Sequence, residues 1–257
     1  MSDSYESFRS QFAFSPERTL KLGVERECFI VDAHGMPVPR APEVLTALHA
    51  IEDPLRFTYE LSACQIESRT RPCGLAELKG ELSEIRETLE DVVAQKGLGL
   101  SYTPVGPENM PLDVYFDERY RQITRTFTRE RLLAACRLIA THIHVGMPDH
   151  ETALHVYEHV RKHVTELCLP GNAQGVERLR IYREFTPTFE PPELPDWEAF
   201  HRYAVENNFT SDIRQWWSIV RISRHGTIEF RMFDACSSDE QIVTWARTVR
   251  TLCMGAM

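Results

Sequence analysis

Apolar and polar positions along the chain fall into short alternating runs separated by longer stretches with helical spacing. Residues 21–31, "KLGVERECFIV", alternate over their first half and predict a strand, and a second strand is predicted over 56–68 in "RFTYELSACQIES". The turn-rich "DAHGMPVPRAP" separates them. Over 75–94, Leu75, Leu78, Leu82, Ile85, Leu89 and Val92 recur at helical spacing with Glu and Lys opposite. That is a covering helix, ended by Gly97 and Gly99 and followed by a short strand in "LGLSYTPV". Residues 107–120 predict a loop passing into a short helix. "RERLLAACRLIATHIHVGMP" divides into a helix over 129–138 and a strand over 139–146, closed by Pro148.

Residues 151–168 predict a helix. The stretch 171–197, with Pro187, Pro191, Pro192 and Pro195, predicts one long irregular connection of the kind that covers sites. A helix is expected over 197–208, and "WWSIVRISRHGTIEFRMFD" predicts a hairpin turning at Arg224 to Gly226. Ser238 and Gln241 have capping-box spacing ahead of a last helix that buries Ile242, Trp245, Val249 and Leu252. Strands that return by hairpin and alternate in polarity, with helices inserted singly or in pairs, predict an α+β fold. Its sheet is mainly antiparallel, with helices on one face and a polar face opposite. No repeat, low-complexity tract or linker interrupts the chain, so 1–257 is expected to be a single catalytic domain.

Composition narrows this by exclusion. With 29 Lys and Arg against 38 Asp and Glu the net charge is −9, which repels nucleic acid on average. No stretch approaches the roughly 18 apolar residues that span a bilayer, so no membrane partner is expected. The polar N-terminus lacks a basic start and an apolar core, so a secretory signal is not expected and a cytoplasmic address is. Seven cysteines, Cys28, Cys64, Cys73, Cys136, Cys168, Cys236 and Cys253, contain no C-x-x-C pair and predict buried free thiols in a reducing compartment.

The strands carry the chemistry. Residues i and i+2 of a strand share a face about 7 Å apart, so Glu25 with Glu27, Gln65 with Glu67, His142 with His144, and Glu229 with Arg231 each form an equipped side. The opposite sides show Val24 and Cys28, Cys64 and Ile66, Ile143 and Val145, and Ile228 and Phe230. A solvated outer face explains any one strand taken alone. Together they gather carboxylates without matching lysines, an arrangement that repulsion penalises and a bound cation relieves. Oxygen-rich ligation with a histidine suits Mg2+ or Mn2+. Mg2+ commonly bridges carboxylates to substrate phosphates, which points to a nucleotide. The chain has neither G-x-x-x-x-G-K-[ST] nor G-x-G-x-x-G, which leaves an acidic sheet holding ATP through metals, with Arg231 and Arg221 neutralising charge in transfer.

Four segments in order, "GVERE", "YELSACQIES", "ATHIHVG" and "GTIEFRMFD" with its capped helix, resemble the signature segments of carboxylate-amine ligases similar to glutamate-cysteine ligase, second bacterial class. The resemblance runs from residue 23 to 253. It implies a glutamine-synthetase-like fold with a curved antiparallel sheet lined by Mg2+ ligands. It also implies ATP-dependent joining of a glutamate side-chain carboxylate, activated as an acyl phosphate, to an amine, as in glutathione biosynthesis. Carried over, Glu25, Glu27, Glu60, Glu67, His144 and Glu229 are the metal ligands; Arg231, Arg221 and Glu229 are catalytic; and Arg231, Gln65, Arg119 and Tyr120 contact the nucleotide. Family members usually run longer, with a further helical portion, and carry an aspartate where this chain has Ser218. Small-molecule substrates and a homo-oligomer are expected. Two other functions stay open: a metal-dependent hydrolase using His142 and His144, and an ATP- and metal-binding protein with degenerate catalysis.

Weaker signals are read as structural. His155, His159 and His163 form a stripe beside an apolar row on one helix, with nothing to complete a zinc site. Cys64 points to the apolar side, and of Trp216 and Trp217 only one can be buried. Glu60 has the wrong parity to join Glu67 in a regular strand, so it needs a bulge near Ser62 or a place at the strand's rim.

Overall fold

The computed structural model describes residues 4–172 and 176–257. A short helix, α1 (Tyr5–Arg9), leads into β1 (Leu22–Val31), and α2 (Ala41–Leu48) begins with Pro42 in its first turn, where no backbone donor is needed. The one strand expected over 56–68 is two. β2 (Phe57–Tyr59) and β3 (Gln65–Arg69) pair with each other, Thr58 opposite Glu67. The chain breaks between them because the Ala63 N–H donates to the Asp113 carbonyl and Ser62 bridges to Val114, partners that alternation cannot announce. Helix α3 (Leu78–Gln95) ends at Gly97, whose φ of 68° suits glycine, and β4 (Gly99–Ser101) follows.

Asp117 caps α4 (Glu118–Thr124), Thr128 caps α5 (Arg129–Arg137), and β5 (Ala140–Gly146) returns through the sheet. The helix expected over 151–168 is α6 (His150–Val160) and α7 (Val164–Gly171), joined by a 3-10 turn at Arg161–His163. The long connection is not irregular throughout. Residues 173–175 lie outside the described residues, but α8 (Glu177–Phe185) occupies its middle, because the prolines begin only at Pro187. Helix α9 (Trp197–Glu206) precedes the hairpin of β6 (Val220–Ser223) and β7 (Thr227–Asp234), turned by three residues ending in Gly226 at φ 72°. Last comes α10 (Asp239–Gly255), whose Ser238 hydroxyl accepts from the Gln241 amide; Cys253 is buried there and Leu252 is not.

Among the described residues seven strands pair antiparallel, in the order β2-β3-β1-β5-β7-β6, with β4 beside the far half of β1. Val24, Ile143, Val145, Ile222, Ile228 and Phe230 form the apolar side, packed with Val156, Phe200, Ile242 and Val249 of the helices. Cys28, Ile30 and Ile66 continue it under α2 and α3. Each large side chain buried this way contributes roughly 1.5–3 kcal/mol. The opposite side changes character along β1: Glu25 and Glu27 give way to Phe29 and Val31, which pack on Cys64, Met110, Cys136 and Ile139. So the polar face is polar only over the first half of β1.

One charge interrupts the apolar side. Arg26, between Val24 and Cys28, is 1% exposed and pairs with Asp239 at the start of α10. Asp239 also accepts from Ser83 Oγ at 3.0 Å and Arg86 Nε at 3.3 Å, which ties β1, α3 and α10 together. Burial alone would raise the Asp239 carboxyl, but Arg26, Ser83 and Arg86 outweigh it and hold it below the usual range.

Candidate active site

Every side chain expected at the site lines one cleft of about 250 Å3: Glu25 and Glu27 from β1, Gln65 and Glu67 from β3, His142 and His144 from β5, Arg221 from β6, and Glu229 and Arg231 from β7, with Arg119 and Tyr120 from α4. Glu60 joins them from the break between β2 and β3, the rim position that resolves its parity. Register explains the convergence. Glu25 lies opposite both Arg69 and His142, Glu27 opposite Glu67, His144 opposite Glu229, and Glu229 opposite Arg221. A single ladder of cross-strand pairs therefore lays the charges side by side.

Charges balance at one end of this row. Arg221 grips Glu229 through Nε at 2.6 Å and Nη2 at 2.9 Å, and Arg231 Nη1 reaches Glu229 Oε1 at 2.5 Å. Burial opposes ionisation of Glu229, yet Arg221, Arg231 and His144 hold its carboxyl far below the usual range. Glu25 is likewise held well below, since His144, His142 and Arg69 overcome its burial. Burial and the neighbouring Arg231 push the His142 ring down to about 4. His144 goes the other way: Glu25 and Glu229 outweigh burial and raise it.

At the other end the balance fails. Glu27, Glu60 and Glu67 offer oxygens within 4.8 Å of one another. Burial, then repulsion from Glu67, pushes Glu27 up to about 8, and burial with Glu27 pushes Glu60 to about 7. Glu67 is raised well above its usual value by burial and by Glu25, although Arg69 Nε lies 2.6 Å away. Crowded buried acids that cannot all ionise are a cation site in waiting.

Two more donor sets continue the row: Glu25 with Glu67 and His142, which shares Glu67 with this one, and Glu25 with His144 and Glu229, which shares Glu25 with the set before it. His144 is oriented for the last. Its Nδ1 meets Thr227 Oγ1 at 2.7 Å, while Nε2 is buried without a hydrogen-bond partner, 3.5 Å from Glu25. An imidazole fixed on one nitrogen and unsatisfied on the other fits a metal ligand. The donor set as a whole, mostly carboxylate oxygen, suits Mg2+ or Mn2+.

The remaining walls are less polar. Ile123, Phe127, Leu138, Phe185 and Trp217 line the cleft beside Tyr120, whose hydroxyl donates to Glu60 Oε2 at 3.4 Å. Arg119 Nε reaches Asp212 at 3.4 Å. Trp216 is the buried member of its pair, stacked on Phe209, and Trp217 faces the cleft.

Sequence reasoning missed several contributors, Arg69, Arg178, Tyr182, Arg214, Arg224 and His225 among them. Arg69 follows Glu67 by two and obeys the same face rule. Arg178 and Tyr182 line the cleft from α8, and their i, i+4 spacing was the available signal, hidden by the prolines beyond. The declined signals stay structural: His155 is exposed and His159 and His163 are half-exposed, while Cys64, expected on the side of Ile66, is instead buried with Phe29 on the opposite side, because it precedes β3 and escapes its alternation. All seven cysteines are free thiols.

The architecture is a glutamine-synthetase-like fold. A bifunctional glutathione synthetase from Pasteurella multocida superposes with TM-score 0.60 at 13% identity, over 100% of this chain and 40% of that one. The glutamine synthetase of Plasmodium falciparum gives 0.50 at 11% identity, over 92% and 52%. The chain itself belongs to glutamate-cysteine ligase family 2 (GCS2), whose family model matches residues 21–168. A glutamate-cysteine ligase of Natronomonas pharaonis is 29% identical over 92% of this chain and 70% of its own length. Several further relatives are matched over 66–67% of theirs.

Proposed function

We propose that this protein is an ATP-dependent carboxylate-amine ligase that activates the side-chain carboxylate of glutamate or a similar amino acid as an acyl phosphate for attack by an amine. The observation that carries the reading is the cluster of Glu27, Glu60 and Glu67, two buried acids and one half-buried, within ligand distance in the cleft of a member of a ligase family. Divalent cations completing the cluster would relieve its repulsion. Glu25, Glu27, Glu60, Glu67, His144 and Glu229 are the residues that would hold Mg2+ or Mn2+, which supplies screening of the phosphates against the incoming carboxylate.

In this scheme a carboxylate oxygen of the substrate bonds to the γ-phosphorus while the bond to ADP breaks. The amine nitrogen then bonds to the acyl carbon, phosphate leaves and the nitrogen loses a proton. Arg231 faces the transferred group with its guanidinium fixed by Glu229, and Arg221 shares that carboxylate from the next strand. Fixed donors aimed at developing charge are worth more than mobile ones because nothing reorganises during the reaction. Gln65 lines the cleft with its amide nitrogen donating to the Cys136 and Leu138 carbonyls. Its part is to hold the wall of the cleft, with Arg119 and Tyr120 at the nucleotide side. Phosphate release is the test, with Mg2+, ATP, glutamate and a panel of amines that includes cysteine. Release that requires both carboxylate and amine, and falls about 100-fold or more in Arg231→Lys, is expected. Folded protein that binds Mn2+ yet turns over no pair in the panel removes the reading.

A further inference from the structure

β7 is irregular where Arg231 leaves it. Thr141 pairs with Phe233 and Ile143 with Phe230, so Arg231 and Met232 together face the single residue His142, a β-bulge. A bulge re-aims a side chain and leaves carbonyls outside the ladder. Both of those carbonyls go to one residue. Arg178 of α8, 3% exposed, donates from Nη2 to the Met232 carbonyl at 2.6 Å and the Arg231 carbonyl at 3.3 Å, and from Nε to Asp234 Oδ1 at 2.9 Å. One turn along α8, the Tyr182 hydroxyl donates to the Trp217 carbonyl at 2.7 Å and accepts from Arg231 Nε at 3.4 Å. Gly171 packs its backbone on the same bulge, where a Cβ would lie 2.8 Å from the Phe233 ring.

We propose that α8 is a positioning element, in which Arg178 clamps the β7 bulge and Tyr182 steadies the guanidinium it presents, so that Arg231 is held at one place in the cleft. Glu229 alone cannot do this, since two of its contacts go to Arg221. The planar fork of Arg178 meets three acceptors at once, which a lysine ammonium on a flexible stem does not reproduce. Loss of the clamp frees the bulge, and a displacement of about 1 Å at a reacting group lowers a rate by as much as 100-fold. The rate consequence rests on the ligase reading above; the positional claim does not.

The experiment therefore has two arms. The first measures 15Nε relaxation of the Arg231 side chain in the wild type, Arg178→Lys and Tyr182→Phe, with Arg231→Lys for assignment. Arg231 ordered in the wild type and loosened in both variants is the expected result, with an order parameter falling below about 0.6. Arg231 equally ordered in all three overturns the proposal, and Tyr182→Phe decides alone if Arg178→Lys does not fold. The second arm reads phosphate release. Arg178→Lys is expected to lower kcat about 100-fold with the KM for ATP unchanged, and the double variant with Arg231→Lys to be no slower than Arg231→Lys alone. Additive losses, or a KM change with kcat intact, count against it. If the wild type turns over nothing while Arg231 loosens in the variants, the ligase reading falls and the clamp stands.

Discussion

Three consecutive residues of β1 show two ways to bury charge. Glu25 and Glu27 point into the cleft, where Glu27 meets Glu60 and Glu67, acids of like sign; burial and mutual repulsion push Glu27 up to about 8 and Glu60 to about 7 and raise Glu67 well above its usual value. Arg26, between them, points into the core and meets Asp239, itself bonded to Ser83 and Arg86. On the core side each charge has a partner supplied by the chain, so the cluster holds elements together. On the cleft side Arg69 reaches Glu67 at 2.6 Å, but Glu27 and Glu60 stay crowded against it, so like charges face one another there.

Breaking the paired side has the largest expected effect. Arg26→Met takes the buried partner from Asp239, leaving it Ser83 and Arg86, and is expected to cost about 3 kcal/mol in urea unfolding, with Mn2+ affinity of the folded protein intact. A loss of metal affinity at full stability would erase the distinction between the two sides. Next is pH, which sets the sides against each other in chelator-treated protein. Glu60 and Glu27 are raised from 4.5 to about 7 and about 8, so the stability they contribute is full below about 4.5 and is lost as pH climbs through those values. Asp239 is lowered from 3.8, so its contribution is full above that value and is lost as pH falls through its depressed pKa. Thermal unfolding between pH 3 and 9 measures both, and added Mg2+ should flatten the alkaline limb alone.

Glu67→Gln sharpens the contrast at smaller scale. Removing one of three crowded acids should raise the unfolding midpoint without metal by about 2–4 °C, corresponding to about 1 kcal/mol, while phosphate release falls. A lower midpoint would mark the cluster as structural. Smallest is Ser238→Ala, which removes the hydroxyl that accepts from the Gln241 amide and should cost about 0.5–1 kcal/mol with turnover unchanged.

What could be read in advance followed from local rules. Period two placed Glu25, Glu27, Gln65, Glu67, His142, His144, Glu229 and Arg231 on one side of their strands, and the sheet then brought those sides together. The same rule was enough for Arg69. It was silent wherever a distant partner decides the outcome: the break before β3 depends on Asp113 and Val114, and the bulge in β7 on Arg178. Arg26 was illegible for another reason, because an arginine between two buried positions is recognisable as core only once Asp239 is seen opposite it. Helix α8 was obscured by composition, its helical spacing averaged together with prolines that lie outside it.

The place of β1 at the middle of the sheet also bears on how the molecule assembles. Its hydrogen-bonding partners come from residues 65–69, 99–101 and 140–146, and β5 in turn waits for β7, which ends at residue 234. Such distant closures make for slow, late folding. During synthesis β1 emerges before β3, β4, β5 and β7, so its ladder stays unformed until those later strands have been made.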